Sequence, residues 1–149
     1  MAESPTSAQV LVERPDLQSF IDGNEANLTI DDYIAKALAQ VKRDIEDVKG
    51  IKWSRIYNSV TSDYFLDEDD IAHNQDRMIN IVTILTVAYV FKDYAIRRDD
   101  TGAWNSMYLA FREDYDKAVQ DVKLSVDWDD SGAIVEGEED NTTQTFLGR

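Results

Sequence analysis

The chain has 149 residues, a length that supports one domain, and its 43% apolar and 30% charged content is ordinary globular usage that excludes wholesale disorder. Thirty acids against fifteen bases give a net charge of −15, which excludes a protein held on nucleic acid or an anionic membrane by a basic footprint. The absence of cysteine excludes disulfides, a thiol nucleophile and thiolate metal sites, and a lone His73 excludes a multi-histidine zinc centre.

Residues 1–14 are small and polar, lack helical periodicity and read as an N-terminal arm. The opening Met1-Ala-Glu-Ser-Pro has neither a basic region nor an apolar stretch, so no secretory leader is expected. Pro15 followed by Asp16-Leu-Gln-Ser-Phe-Ile fits a short helical turn, broken by Asp22-Gly-Asn-Glu. Thr29 then stands three residues before Asp32, a variant of the capping box. Ile30, Ile34, Ala37/Leu38, Val41, Ile45 and Val48 recur at steps of three and four, which predicts an amphipathic helix ending at Lys49 and Gly50. Lys36, Lys42, Arg43, Asp44 and Asp47 fall largely off that stripe. Trp53, Ile56, Tyr57 and Val60 are spaced to share one face, so a second short helix is expected over 53–60.

The acidic run Asp67-Glu-Asp-Asp suits the positive end of a helix dipole, and the longest helix is expected from Ile71 to about Arg98. Its apolar residues cover most of its girth, so it must be covered on most sides. The run Met78–Phe91 is shorter than the roughly 20 residues a bilayer span needs, so no membrane partner and a soluble chain in a reducing compartment are expected. Asp99-Asp-Thr-Gly turns the chain, and Trp104, Tyr108, Phe111, Tyr115, Ala118/Val119 and Val122 form a further stripe rich in aromatics. From Lys123 the pattern alternates around Asp-Ser-Gly, which predicts a β-hairpin or extended tongue, followed by a polar tail. Residues 113–149 carry 11 acids and 3 bases, net −8, and so hold half the excess charge in a quarter of the chain. The expected fold is mainly α. A small bundle of three to four main helices with one long central helix spans 15–122, between an arm (1–14) and an acidic hairpin with extended C-terminal tail (123–149).

Asp127-Trp-Asp-Asp-Ser-Gly-Ala-Ile-Val-Glu-Gly-Glu138 satisfies the calcium-loop pattern, with Asp127, Asp129, Ser131 and Glu138 as candidate ligands. The same residues also make an acidic hairpin turn around Gly132. The poor helix former that follows, Glu139-Asp-Asn-Thr-Thr-Gln-Thr, and the lack of a second hand favour the turn. His73 beside Asp69, Asp70 and Asp76 reads as a surface or capping residue, since no placed serine or oxyanion hole accompanies it. The carboxylate pairs Asp31/Asp32, Asp99/Asp100 and Asp129/Asp130 read as solvated faces rather than acid–base machinery. There is no P-loop and no GxGxxG, so neither catalysis nor a cofactor is expected. Trp128, Phe146 and Leu147 stand apart from the helical stripes in polar surroundings, as anchors that dock into a neighbour do.

The order of these pieces resembles the head-to-tail connector (adaptor, or neck) proteins of tailed bacteriophages. The likeness lies in an amphipathic helix like Ile30–Lys49, a long apolar helix like Ile71–Arg98, and an aromatic helix of the Tyr-Leu-Ala-Phe-Arg-Glu-Asp-Tyr type at Tyr108–Tyr115. A Leu-Ser-Val-Asp segment with an acidic glycine turn (Leu124–Gly132) and a polar tail ending in Arg149 complete it, over roughly residues 28–149. Trp128 and the long acidic tail are not features of that family. The resemblance implies a virion protein assembled in the host cytoplasm, forming a ring, often of twelve copies, under the portal protein. The next neck or tail protein would bind below, and genomic DNA would pass through the channel without specific binding. Trp128, Phe146, Leu147 and Arg149 would then dock on neighbours or portal. Asp127, Asp129, Asp130, Glu136, Glu138, Glu139 and Asp140 would form an acidic or channel-lining surface that repels phosphates. The alternatives are a calcium-dependent binding module on the Asp127–Glu138 loop and a free acidic interaction protein, such as a DNA mimic.

Overall fold

A computed structural model describes residues 4–22, 28–66, 73–98, 102–124, 126 and 127. These form helices α1 (Ser7–Glu13), α2 (Leu17–Asp22), α3 (Ile30–Lys49), α4 (His73–Arg98) and α5 (Ala103–Asp121). A 3-10 turn (Trp53–Arg55) and an antiparallel hairpin of β1 (Tyr57–Asn58) and β2 (Asp63–Tyr64) lie between α3 and α4. The fold is mainly α with a small hairpin.

Helix α3 begins and ends where its sequence says. The Thr29 hydroxyl accepts from the Asp32 N–H, and the Asp32 carboxylate accepts from the Thr29 N–H at 2.8 Å. These bonds hold the Asp32 carboxyl below its ordinary range, the backbone bond contributing most. Ile30, Ile34, Ala37, Val41 and Ile45 are buried as the spacing requires. At the other end Gly50 adopts φ 69°, and its N–H closes on the Glu46 carbonyl at 2.9 Å. An L side chain is strained in that left-handed conformation. Gly50→Ala is therefore expected to lower unfolding free energy by about 1 kcal/mol in urea titration, with helical content retained.

Helix α4 is the axis of the bundle and packs on α5, α3 and α2. Met78, Ile81, Val82, Leu85, Val87, Ala88, Val90 and Phe91 are all buried, so apolar residues around most of its girth meet neighbours on most sides. Its two buried threonines satisfy their hydroxyls internally, Thr83 donating to the Ile79 carbonyl and Thr86 to the Val82 carbonyl, each at 2.7 Å. The apolar stretch is longer than Met78–Phe91 suggests. Asn74–Ile96 is 23 residues, long enough for a membrane span, and its most apolar 18-residue window has mean hydropathy 1.4, with more than half of that window buried against the rest of the protein.

Two expectations are corrected. Residues 53–60 are not a helix: after the 3-10 turn, Tyr57 and Tyr64 pair across the hairpin. Their rings meet edge to face at 5.0 Å, with Trp53 at 6.2 and 6.0 Å from them. Val60 sits in the turn, 91% exposed, and the Asn58 side chain accepts from the Val60 N–H at 2.9 Å. That side-chain bond offers the backbone an alternative to helix. The segment read as a structureless arm contains α1, capped by a reciprocal Thr6–Gln9 box, with Val10 fully buried. Arg14 then fixes the N-terminal segment to the bundle. Its guanidinium lies 5.3 Å from both the Phe91 and Phe111 ring centroids and grips Asp16 with bonds of 3.0 and 2.7 Å.

Candidate functional site

The chain leaving α5 runs across a bed of basic side chains. No basic residue stands in the last turn of α5 itself, whose terminal carbonyls carry the negative end of the helix dipole. Lys49 supplies a cation from the end of α3: it is only 2% exposed and donates its ammonium to the Gln120 carbonyl at 2.6 Å. Burial pushes that ammonium below its ordinary pKa, while Asp121 partly restores it. Arg77 of α4 donates to the Lys123 carbonyl at 2.7 Å. Arg55 of the 3-10 turn donates to the Asp127 carbonyl at 3.1 Å, and the Asp127 N–H returns a bond to the Arg55 carbonyl at 2.9 Å. Leu124 and Val126 are fully buried between these clamps. Three cations from three separate elements thus hold the backbone at Gln120, Lys123 and Asp127.

Of the acidic site residues read from the sequence, Asp127 alone lies among the described residues, and it is 1% exposed. This corrects its placement on an open acidic surface, because the Arg55 clamp draws it into the protein. Trp128, Asp129, Asp130, Ser131, Glu136, Glu138, Glu139, Asp140, Phe146, Leu147 and Arg149 lie outside the described residues, as does the predicted C-terminal hairpin beyond Asp127. Asp99 and Asp100 lie outside them too, whereas Asp31 and Asp32 occupy the first turn of α3 and Asp32 is occupied in capping. His73 is the first residue of α4. Among the described residues, no group of three histidine, aspartate or glutamate side chains converges as a metal site would.

No family model, curated protein or solved structure matches this chain.

A second site was not anticipated from sequence. Between α3 and α4 lies an open groove of about 330 Å³ lined by Lys36, Ala39, Arg43, Tyr89, Lys92 and Asp93. The Asp93 carboxylate is engaged from the core side, accepting from the Tyr33 hydroxyl at 2.9 Å. Arg43 donates to the neutral Gln40 side chain at 3.0 Å, and Lys92 sits 5.7 Å from the Tyr108 ring centroid. Burial raises the Tyr89 phenol above its ordinary pKa, and the Arg112 guanidinium beside it pulls the other way. Arg112 itself keeps Asp116 at 3.5 Å. Lys36 and Arg43 are seven residues apart on α3, a spacing that puts them on one face two turns apart. That much was readable. Their meeting with Lys92 depends on how α3 and α4 pack and has no local signal.

Proposed function

We propose that this chain is a structural adaptor: a head-to-tail connector that assembles as a ring, of about twelve copies in the family it resembles, beneath a portal protein. In that reading the ring joins capsid to tail in the virion neck, and DNA passes through it without specific binding. The observation that carries the proposal is the triple clamp on residues 120–127. Holding the chain at three points up to Asp127 fixes where the acidic tail begins on the bundle, which supports docking of its anchors at a defined place. Its composition, net −8 over residues 113–149, suits an outward or channel-facing surface from which a duplex slides away. The helical bundle supplies the rigid body, and the layout of the sequence supplies the family.

The calcium reading is the weaker one. An EF-hand loop is followed by a helix and paired with a second hand, whereas Glu139-Asp-Asn-Thr-Thr-Gln-Thr is a poor helix former and the sequence has no second loop. Electron microscopy of purified portal with and without this protein tests the proposal. A ring of added density beneath the portal is expected, together with loss of that density when residues 137–149 are deleted while circular dichroism is unchanged. Unaltered portal particles sink the connector reading.

A further inference from the structure

The groove between α3 and α4 is out of character with the rest of the molecule. In a chain of net charge −15 it gathers three cations, Lys36, Arg43 and Lys92, against the single carboxylate of Asp93. Among the described residues, none of these three cations has a carboxylate at ion-pair distance. Its volume is at the low end for a small-molecule pocket, and it is open rather than enclosed, with long cationic side chains at its rim. Such a rim suits an extended, negatively charged chain.

We infer that the groove binds the acidic segment Glu136–Asp140 of a second copy of this protein. Charge complementarity selects that occupant. The run Glu136-Gly-Glu-Glu-Asp140 places four carboxylates in five residues near the end of the chain, whereas the denser Asp67-Glu-Asp-Asp70 lies in sequence between β2 and α4 of the bundle. In extended backbone, alternate residues share a face, so Glu136, Glu138 and Asp140 present three carboxylates over about 13 Å. Lys36 and Arg43 lie about 10 Å apart along α3, and Lys92 reaches in from α4 on the other wall. The lengths match, and Gly137 lets the strand approach closely without a side chain against the helix surface. Copies joined in this manner meet through two different surfaces, tail to groove. Such a heterologous contact repeats from copy to copy, as the subunits of a ring require. Salt screens the opposite charges at the contact, so the contact itself is expected to weaken as ionic strength rises, while the net charge of −15 on each copy slows encounter in dilute buffer.

This inference rests on the connector reading, and its test is separable from the portal experiment. Full-length chains carrying nitrogen-14 and nitrogen-15 are mixed in equal amounts at low salt and treated with a carbodiimide, which joins a lysine amine directly to a contacting carboxylate. Peptides linking Lys36 or Lys92 to Glu136, Glu138, Glu139 or Asp140 are expected, with mixed-isotope pairs as abundant as same-isotope pairs. Arg43→Glu leaves both amines in place and changes an exposed residue; it is expected to cut the yield roughly tenfold or more. The double variant Glu138→Gln/Glu139→Gln, read through the remaining acids, is expected to act in the same direction. Links confined to one isotope would assign the groove to the chain's own tail and overturn the inference. Equal yields in Arg43→Glu, or no link at either lysine, overturn it as well. A ring on the portal without these links removes the groove alone; links without a ring remove the connector alone.

Discussion

Phe91→Ala is expected to lower unfolding free energy by about 3–5 kcal/mol, a large share of the roughly 5–15 kcal/mol that holds a domain together. Phe91 is fully buried at the meeting point of three parts of the chain. Its ring stacks on Phe111 at 5.5 Å and on Trp104 at 6.1 Å, both from α5, and it carries the Arg14 guanidinium of the N-terminal segment. Removing the ring leaves a cavity and takes one face of the Arg14 site, so α1 and α2 are expected to loosen before the remaining helices do. Thermal melting should fall by roughly 6–20 °C. Limited proteolysis should cut within residues 4–22 first. A loss under about 1 kcal/mol, or cleavage elsewhere, would contradict this account of the packing. Phe91→Leu keeps most of the volume and is expected to be milder, at about 1–1.5 kcal/mol.

The second large effect is at Tyr115. Its phenol is fully buried and donates to the Asp44 carboxylate at 2.6 Å, and Asp44 also accepts from Gln40 at 2.8 Å. Burial first, and the neighbouring Asp44 charge after it, push the Tyr115 phenol far above its ordinary range. In the unfolded chain the phenol ionises near pH 10. Above that pH the unfolded state has released the proton that the folded state still holds, so stability falls as pH rises, by about 1.4 kcal/mol per pH unit for this one group. Lys49 acts oppositely at lower pH. Its depressed pKa means the unfolded state holds the extra proton, and stability gains until the ordinary lysine range is reached. Tyr115→Phe is expected to be less stable than the parent by about 1.5–3 kcal/mol at pH 8, the value of a hydrogen bond to a charged group. The gap should narrow above pH 10, by about 1.4 kcal/mol at pH 11. Urea titrations of both proteins from pH 8 to 11 measure it, and a gap independent of pH would refute the assignment.

How far the sequence carries depends on whether a residue's fate is decided locally. Helix α3 was legible from Thr29 to Gly50 because cap, stripe and left-handed stop agree within one segment. Helix α4 was legible because most of its girth is apolar and could not stay in water. Residues 53–60 misled because Trp53, Ile56, Tyr57 and Val60 have helical spacing, whereas the polar run Asn58-Ser-Val-Thr-Ser is turn chemistry and Ser62 takes a positive φ of 58°. Helix α1 was missed because it is one short element; its signal, Thr6 with Gln9 three residues on, was present but brief. Both sites are harder. The clamps of Lys49, Arg77 and Arg55 act on carbonyls 46 to 72 residues away, and carbonyls have no sequence identity. The basic groove is hidden in the same way, since a strongly negative total says nothing of where its minority charges gather.

Helix α4 has a consequence for how the protein is made. Its covering partner α5 lies later in the chain, so while the ribosome is still producing residues 103–121 helix α4 can lean only on elements that precede it, α2 and α3 foremost. At that moment the apolar side chains of α4 that later meet α5 face water, while its threonine hydroxyls are already satisfied on their own backbone. Synthesis therefore passes through a window in which the nascent chain exposes apolar surface to its siblings, and the window closes when the aromatic face of α5 emerges.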